Sequence, residues 1–135
     1  MIKKICIVKD ISGSMTVLSK TLIAENGIKT LKQLKDFDYR YKAEEYELEE
    51  KKWDGSICGN SFDTDADAFV YFTDFSSAAN IRTKGNLLKK KAVVLCGADS
   101  VSEEIKKHLQ EYEDSDTRFF KAVNVIAAFD YAYGI

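Results

Sequence analysis

Three short, unbroken apolar runs constrain this chain most: Ile5-Cys6-Ile7-Val8, Ala68-Phe69-Val70-Tyr71-Phe72 and Ala92-Val93-Val94-Leu95-Cys96. Each lacks the polar alternation of a half-exposed strand, so each reads as a strand covered on both faces, as in a parallel sheet flanked by helices. After the first run and a polar loop, Val17, Leu18, Leu22, Ile23, Ile28, Leu31 and Leu34 recur at helical spacing. Thr16 to Lys35 is therefore expected to form an amphipathic helix, with Gly27 as a local weakness. Strand, polar loop and helix make the first unit of an α/β sheet.

The remaining segments fit the same plan. Phe37, Tyr39, Tyr41 and Ala43 alternate with charged residues, and the apolar parity then shifts to Tyr46 and Leu48. Two edge strands with a bulge or turn near Glu44 and Glu45 are the favoured reading, and a helix up to Trp53 is the alternative. The charged residues here read as a solvated face. Asp54 to Ala68 is a long loop rich in Gly, Ser, Asn and Asp, and Ser76 to Lys90 is expected to be helical. Ser102 fits an N-cap before a helical stripe of Ile105, Leu109 and Tyr112. The tail from Thr117 to Tyr133 reads as a largely buried helix, with a strand through Val123 to Ile126 as the alternative. The expected architecture is a three-layer α/β/α fold with a mostly parallel central sheet and helices on both faces. At 135 residues, one domain spanning 1–135 suffices, and it can bury roughly two-thirds of its unfolded surface.

Composition narrows the function. With 45% hydrophobic and 31% charged residues and a formal charge of −2, the chain has no general excess of basic residues for nucleic acid. No apolar run approaches the roughly 20 residues of a membrane span. Met-Ile-Lys-Lys is followed by too short an apolar run for a signal peptide. Cys6, Cys58 and Cys96 are odd in number and widely spaced, which suggests reduced thiols and a cytoplasmic setting. With one His and no Cys-x-x-Cys, a zinc site lacks its ligands.

Chemistry concentrates at the ends of the apolar runs. Asp10, Ser12 and Ser14 leave the first run at i, i+2 and i+4, and Asp74 follows the run ending at Phe72. In open α/β sheets, ligands bind outside the carboxyl ends of the strands where the connections diverge. If these two strands are neighbours, the carboxylates lie about one strand spacing apart, roughly 5 Å. Two carboxylates with neutral hydroxyls and waters suit Mg²⁺. Helix capping alone needs one such residue, not three in alternation.

Asp10-Ile11-Ser12-Gly13-Ser14 and Phe72-Thr73-Asp74-Phe75 resemble the metal-ion-dependent adhesion site of von Willebrand factor A (VWA) domains. Members bind their cation through Asp-x-Ser-x-Ser, a Thr from a later loop and an Asp after the fourth strand, often within Thr-Asp-Gly. The first motif is met without departure, and Phe75 stands where Gly is usual. The resemblance covers Lys3 to Cys96 in order of elements, on a chain shorter than most members, so one or more helices are reduced. It implies a metal site of Asp10, Ser12, Ser14, Thr64 and Asp74, with Ser61 in reserve for Thr64. It also implies Mg²⁺, with Mn²⁺ or Ca²⁺ possible, and a partner protein whose acidic residue completes the coordination. The expected function is a non-enzymatic binding module.

Two alternatives stand beside it. One is a metal-assisted phosphohydrolase or phosphoacceptor using Asp10. Haloacid-dehalogenase-like phosphatases, however, want a second Asp where Ser12 stands, and receivers want an acidic pair near the end of the first strand. The other is a degenerate VWA scaffold that binds partners without metal. Asp63-Thr64-Asp65-Ala66-Asp67 is no EF-hand loop, because Ala68 stands where the turn needs Gly. Ser12 and Ser14 lack a Gly-x-Ser-x-Gly elbow, His108 has no obvious orienting acid, and no phosphate-binding glycine loop is present.

Overall fold

The computed structural model describes residues 2–38, 40–41, 45–57, 65–81, 89–97, 107, 111, 113 and 116–134. Five strands form one sheet: β1 (Lys3–Asp10), β2 (Tyr46–Trp53), β3 (Ala68–Thr73), β4 (Lys90–Leu95) and β5 (Thr117–Lys121). Every pairing is parallel, and the order is β2-β1-β3-β4-β5. This is one of the two common doubly wound orders. The first connection moves from β1 to one side, the later ones move to the other, and the reversal falls between β1 and β3. The three apolar runs are the three central strands, and all six residues of β3 are buried. β2 and β5 are the edges, and the exposed charges of β2 at Glu47, Glu50, Lys51 and Lys52 discourage pairing with another chain.

The sheet is accompanied by the helices α1 (Leu18–Phe37), α2 (Phe75–Ala78) and α3 (Val125–Tyr133). One core cluster joins Ala24, Ile28, Leu31 and Leu34 of α1 and Ala128, Phe129 and Ala132 of α3 to Ile5, Ile7, Val70, Phe72 and Val94 of the sheet. The opposite face gathers Cys6, Val8, Phe69, Tyr71, Val93 and Leu95 under Ala78 and Ile81, from α2 and the 3-10 turn Ala79–Ile81. Right-handed crossovers require this split, because connections running in opposite directions along a parallel sheet lie on opposite faces. Helices therefore flank both faces, although among the described residues the two long ones share a face.

Several local expectations are corrected. The helix begins at Leu18, because Gly13–Thr16 first makes a 3-10 turn. Its N-cap is Val17, with no side-chain cap bond, so neither Asp10 nor either serine caps it. Leu18 and Leu22 are exposed, so the buried stripe is Ala24, Gly27, Ile28, Leu31 and Leu34. The first of the two proposed edge strands is absent among the described residues: Phe37 is the last residue of α1 at 82% exposure. Asp38 leaves the helix in extended geometry, takes hydrogen bonds from Arg40, and the chain turns. Tyr41 is buried from this bend, against Tyr46, Phe129 and Tyr133. In the tail, a strand comes first, as β5, and the helix begins only at Val125. Of the helix expected over Ser76 to Lys90, the described residues show α2 passing into a 3-10 turn at Ala79–Ile81, and Lys90 already belongs to β4; the Ser102 helix falls almost wholly outside the described residues.

Gly27 is no weakness. A Cβ there would overlap Phe72 Cε1, so the missing side chain is what lets α1 approach β3. In an exposed helix Gly→Ala is worth about 1 kcal/mol in the favourable direction. Here overpacking reverses the sign, and Gly27→Ala is expected to lower stability in urea unfolding by about 1–3 kcal/mol.

Candidate functional site

β1 and β3 are direct neighbours, and their last register pair is Lys9↔Phe72. Asp10 therefore sits beside Thr73, both on the sheet face that carries Val8 and Tyr71. Asp10 is 1% exposed. Its Oδ1 accepts from Ser12 N–H (2.8 Å) and Gly55 N–H (3.0 Å), and its Oδ2 accepts from the Thr73 hydroxyl (2.6 Å). Three donors from three segments thus hold one carboxylate in one orientation. Gly55 follows β2 and is forced to be glycine by proximity: a Cβ would overlap Asp10 Oδ2 and lie 2.5 Å from Ser77 Oγ. Asn80 Nδ2 holds the Gly55 carbonyl at 2.8 Å, and Ile11 N–H donates to Trp53 O at 2.8 Å, so the β1 and β2 ends turn together.

The hydroxyls gather beside this carboxylate. Ser12 Oγ lies 3.2 Å from Ser14 Oγ and 3.5 Å from Ser77 Oγ. Asp74, fully buried, accepts the Ser77 N–H on Oδ1 at 3.2 Å. The two acidic strand ends therefore meet through Ser77, at the first turn of α2. On its other side Asp74 Oδ2 takes the Lys20 ammonium at 3.1 Å, from the first turns of α1. The Lys20 stem runs against Gly97, just past β4.

Cys96 also borders the site. Its N–H donates to Thr73 O at 2.7 Å. Burial, followed by the negative charges of Asp74 and Asp10, pushes its thiol up to about 12, so in the metal-free chain it is a neutral thiol. What remains is a set of hard oxygen donors: two carboxylates and the hydroxyls of Ser12, Ser14 and Ser77. No group of three His, Cys, Asp or Glu able to hold a metal occurs among the described residues. A site of this composition would have to draw on hydroxyls and water, as Mg²⁺ sites commonly do. Asp10 accepts three hydrogen bonds of about four that a carboxylate can take, leaving one lone-pair direction. The donor set fits a hard divalent cation, with Lys20 as the competing charge.

Of the residues picked from sequence, Asp10, Ser12, Ser14 and Asp74 come together, while Thr64 and Ser61 lie outside the described residues. Gly55, Thr73, Ser77 and Lys20 were missed as parts of the site. Thr73 stood inside the matched Phe72-Thr73-Asp74 motif without a role; strand parity places it beside Asp10 once β1 and β3 are paired. No family model, curated protein or solved structure matches the chain. No helix among the described residues is long and apolar enough to cross a membrane.

Proposed function

We propose that this chain is a metal-dependent protein-binding module of the VWA type. The observation that carries the reading is a chain of contacts in which Ser12 touches Asp10, Ser14 and Ser77, and Ser77 in turn touches Asp74, at the point where the sheet connections diverge. Mg²⁺, when bound, would supply an electrophilic centre with a position open to a partner's Asp or Glu. Asp10 would anchor it through its remaining lone pair, Ser12 and Ser14 would offer neutral oxygens, and Asp74 would contribute directly or through water. Thr64 keeps its place as the loop candidate. Thr73 and the Ser12 and Gly55 amides act as positioning groups, holding the Asp10 carboxylate still. Ile11 within the motif and Val17 just after it, both exposed, supply apolar surface for a partner.

A second reading, a scaffold that binds partners without metal, is favoured by one observation: Lys20 already places a positive charge on Asp74.

Calorimetry and thermal melting with Mg²⁺ and Mn²⁺ separate the two. The metal reading expects binding heat and a rise in melting temperature, equivalent to about 2.7 kcal/mol at a hundredfold excess over Kd. Absence of both at millimolar metal would leave the metal-free scaffold. Phosphate release that needs Mg²⁺ and disappears in Asp10→Asn would overturn both in favour of an enzyme.

A further inference from the structure

A concavity lies away from the Asp10 site, between α1 and the β1–β2 edge of the sheet, with a volume of about 470 Å³. The topology creates it. On this face α1 and α3 are the long helices set against five strands, and the α1 residues buried in the core meet Ile5, Ile7, Val70 and Phe72 of the inner strands. The carboxyl half of the edge strand β2 is left beside a furrow. Ile7 and Ile28, both buried, belong to its lining. The register pairs Ile7 with Glu50 and Lys9 with Lys52, which puts these four on the α1 side of the sheet.

The furrow is basic on a chain whose formal charge is −2: five lysines line it against two glutamates. Both glutamates are engaged. Glu25 pairs with Lys9 at 3.2 Å, and Glu50 pairs with Lys32. Lys51 pairs with Glu49 outside the furrow at 3.0 Å. Lys29 and Lys52 are exposed and have no ion-pair partner among the described residues. Two ammonium groups without an ion-pair partner among the described residues thus stand at the rim of the recess. Such a site offers more than charge, because the volume falls within the range of small-molecule pockets and the accessible edge of Ile28 with the lysine stems can cover an apolar body.

We propose that this furrow binds a phosphorylated small molecule, with its apolar body against the edge of Ile28 and the lysine stems and its phosphate between Lys29 and Lys52. The choice of phosphate follows from the cations. All of them are lysines, which bind phosphate as point charges. A phosphate monoester is close to a dianion at neutral pH, which matches two unpaired lysines. The site is separate from Asp10 and does not depend on any bound metal.

The test is calorimetric titration of the full chain in EDTA, with phenyl phosphate and AMP as probes and inorganic phosphate and adenosine as controls. At least one probe is expected to bind, and both controls to bind about tenfold more weakly. Lys29→Glu combined with Lys52→Glu is expected to weaken the probe by about tenfold or more, with the unfolding curve unchanged because both side chains are exposed. Rising salt should weaken binding in the native chain. No heat from either probe, inorganic phosphate binding as tightly as the probes, or full affinity in the folded double variant would each overturn the proposal.

Discussion

Asp10→Ala is expected to be among the most damaging single substitutions in this chain, lowering stability in urea by about 3–6 kcal/mol. The reason lies in what the carboxylate holds. Removing it strands the Ser12 and Gly55 amides and the Thr73 hydroxyl in a site that is 1% exposed. Each buried donor left without a partner costs about 1–3 kcal/mol, and among the described residues only the Thr73 hydroxyl has a second acceptor in reach, the Asp74 carbonyl at 3.5 Å. Against a typical total of about 5–15 kcal/mol, such a loss approaches global unfolding. Asp10→Asn is different. Its carbonyl oxygen can keep both amide bonds, and the Thr73 hydroxyl can turn to accept from the new NH₂ group, so a cost of about 1–2 kcal/mol is expected. The asparagine variant therefore separates two roles, staying folded while losing the negative charge that would hold a cation. The slope of the urea curve should match the native one in both variants. A loss below about 1 kcal/mol in Asp10→Ala would show that the three donors find other partners and that the carboxylate does not organise the strand ends.

What could be read before the structure follows from the range of the interactions. β1, β3 and β4 were legible because two-sided burial leaves an uninterrupted apolar run, and Ile5 to Val8, Phe69 to Phe72 and Ala92 to Cys96 are buried throughout. α1 was legible in kind, yet its stripe was drawn too wide. Leu18 and Leu22 keep the helical period while standing in solvent, because the first turns of α1 project past the sheet toward the Asp10 site. The aromatic alternation from Phe37 misled for a different reason. Tyr41 is buried by α3, which lies some ninety residues further along, and not by a strand partner. At the site, Asp10, Ser12 and Asp74 announced themselves by following apolar runs. Gly55 and Thr73 could not, since they reach Asp10 across 45 and 63 residues and only the strand order makes them neighbours. The solvated reading of the charges between 44 and 53 holds at Glu47, Glu50, Lys51 and Lys52, but it concealed their asymmetry: Lys52 turns to the α1 furrow together with Lys9.

Lys20→Met should have the second large effect, and its dependence on metal decides between the two binding readings. Asp74 is fully buried and Lys20 is 21% exposed, so the pair is shielded on the carboxylate side and open on the other. Taking away one partner of a buried pair costs about 3–5 kcal/mol, and the exposure of Lys20 lowers the expected figure to about 2–3 kcal/mol in EDTA. Methionine keeps the apolar stem against Gly97, so the loss reports charge and not packing. The double variant Lys20→Met with Asp74→Asn should recover much of that loss, because the uncompensated carboxylate is gone. If the pair stands in the way of a cation, Mn²⁺ should bind Lys20→Met more tightly than the native chain, by about tenfold or more, and restore its melting temperature. The opposite result has an equally definite meaning. A Lys20→Met protein that is destabilised in EDTA, gains nothing from millimolar Mn²⁺ and loses binding to its partner would identify the ammonium itself as the working cation, with the Asp10 network as the frame that holds Asp74 in place.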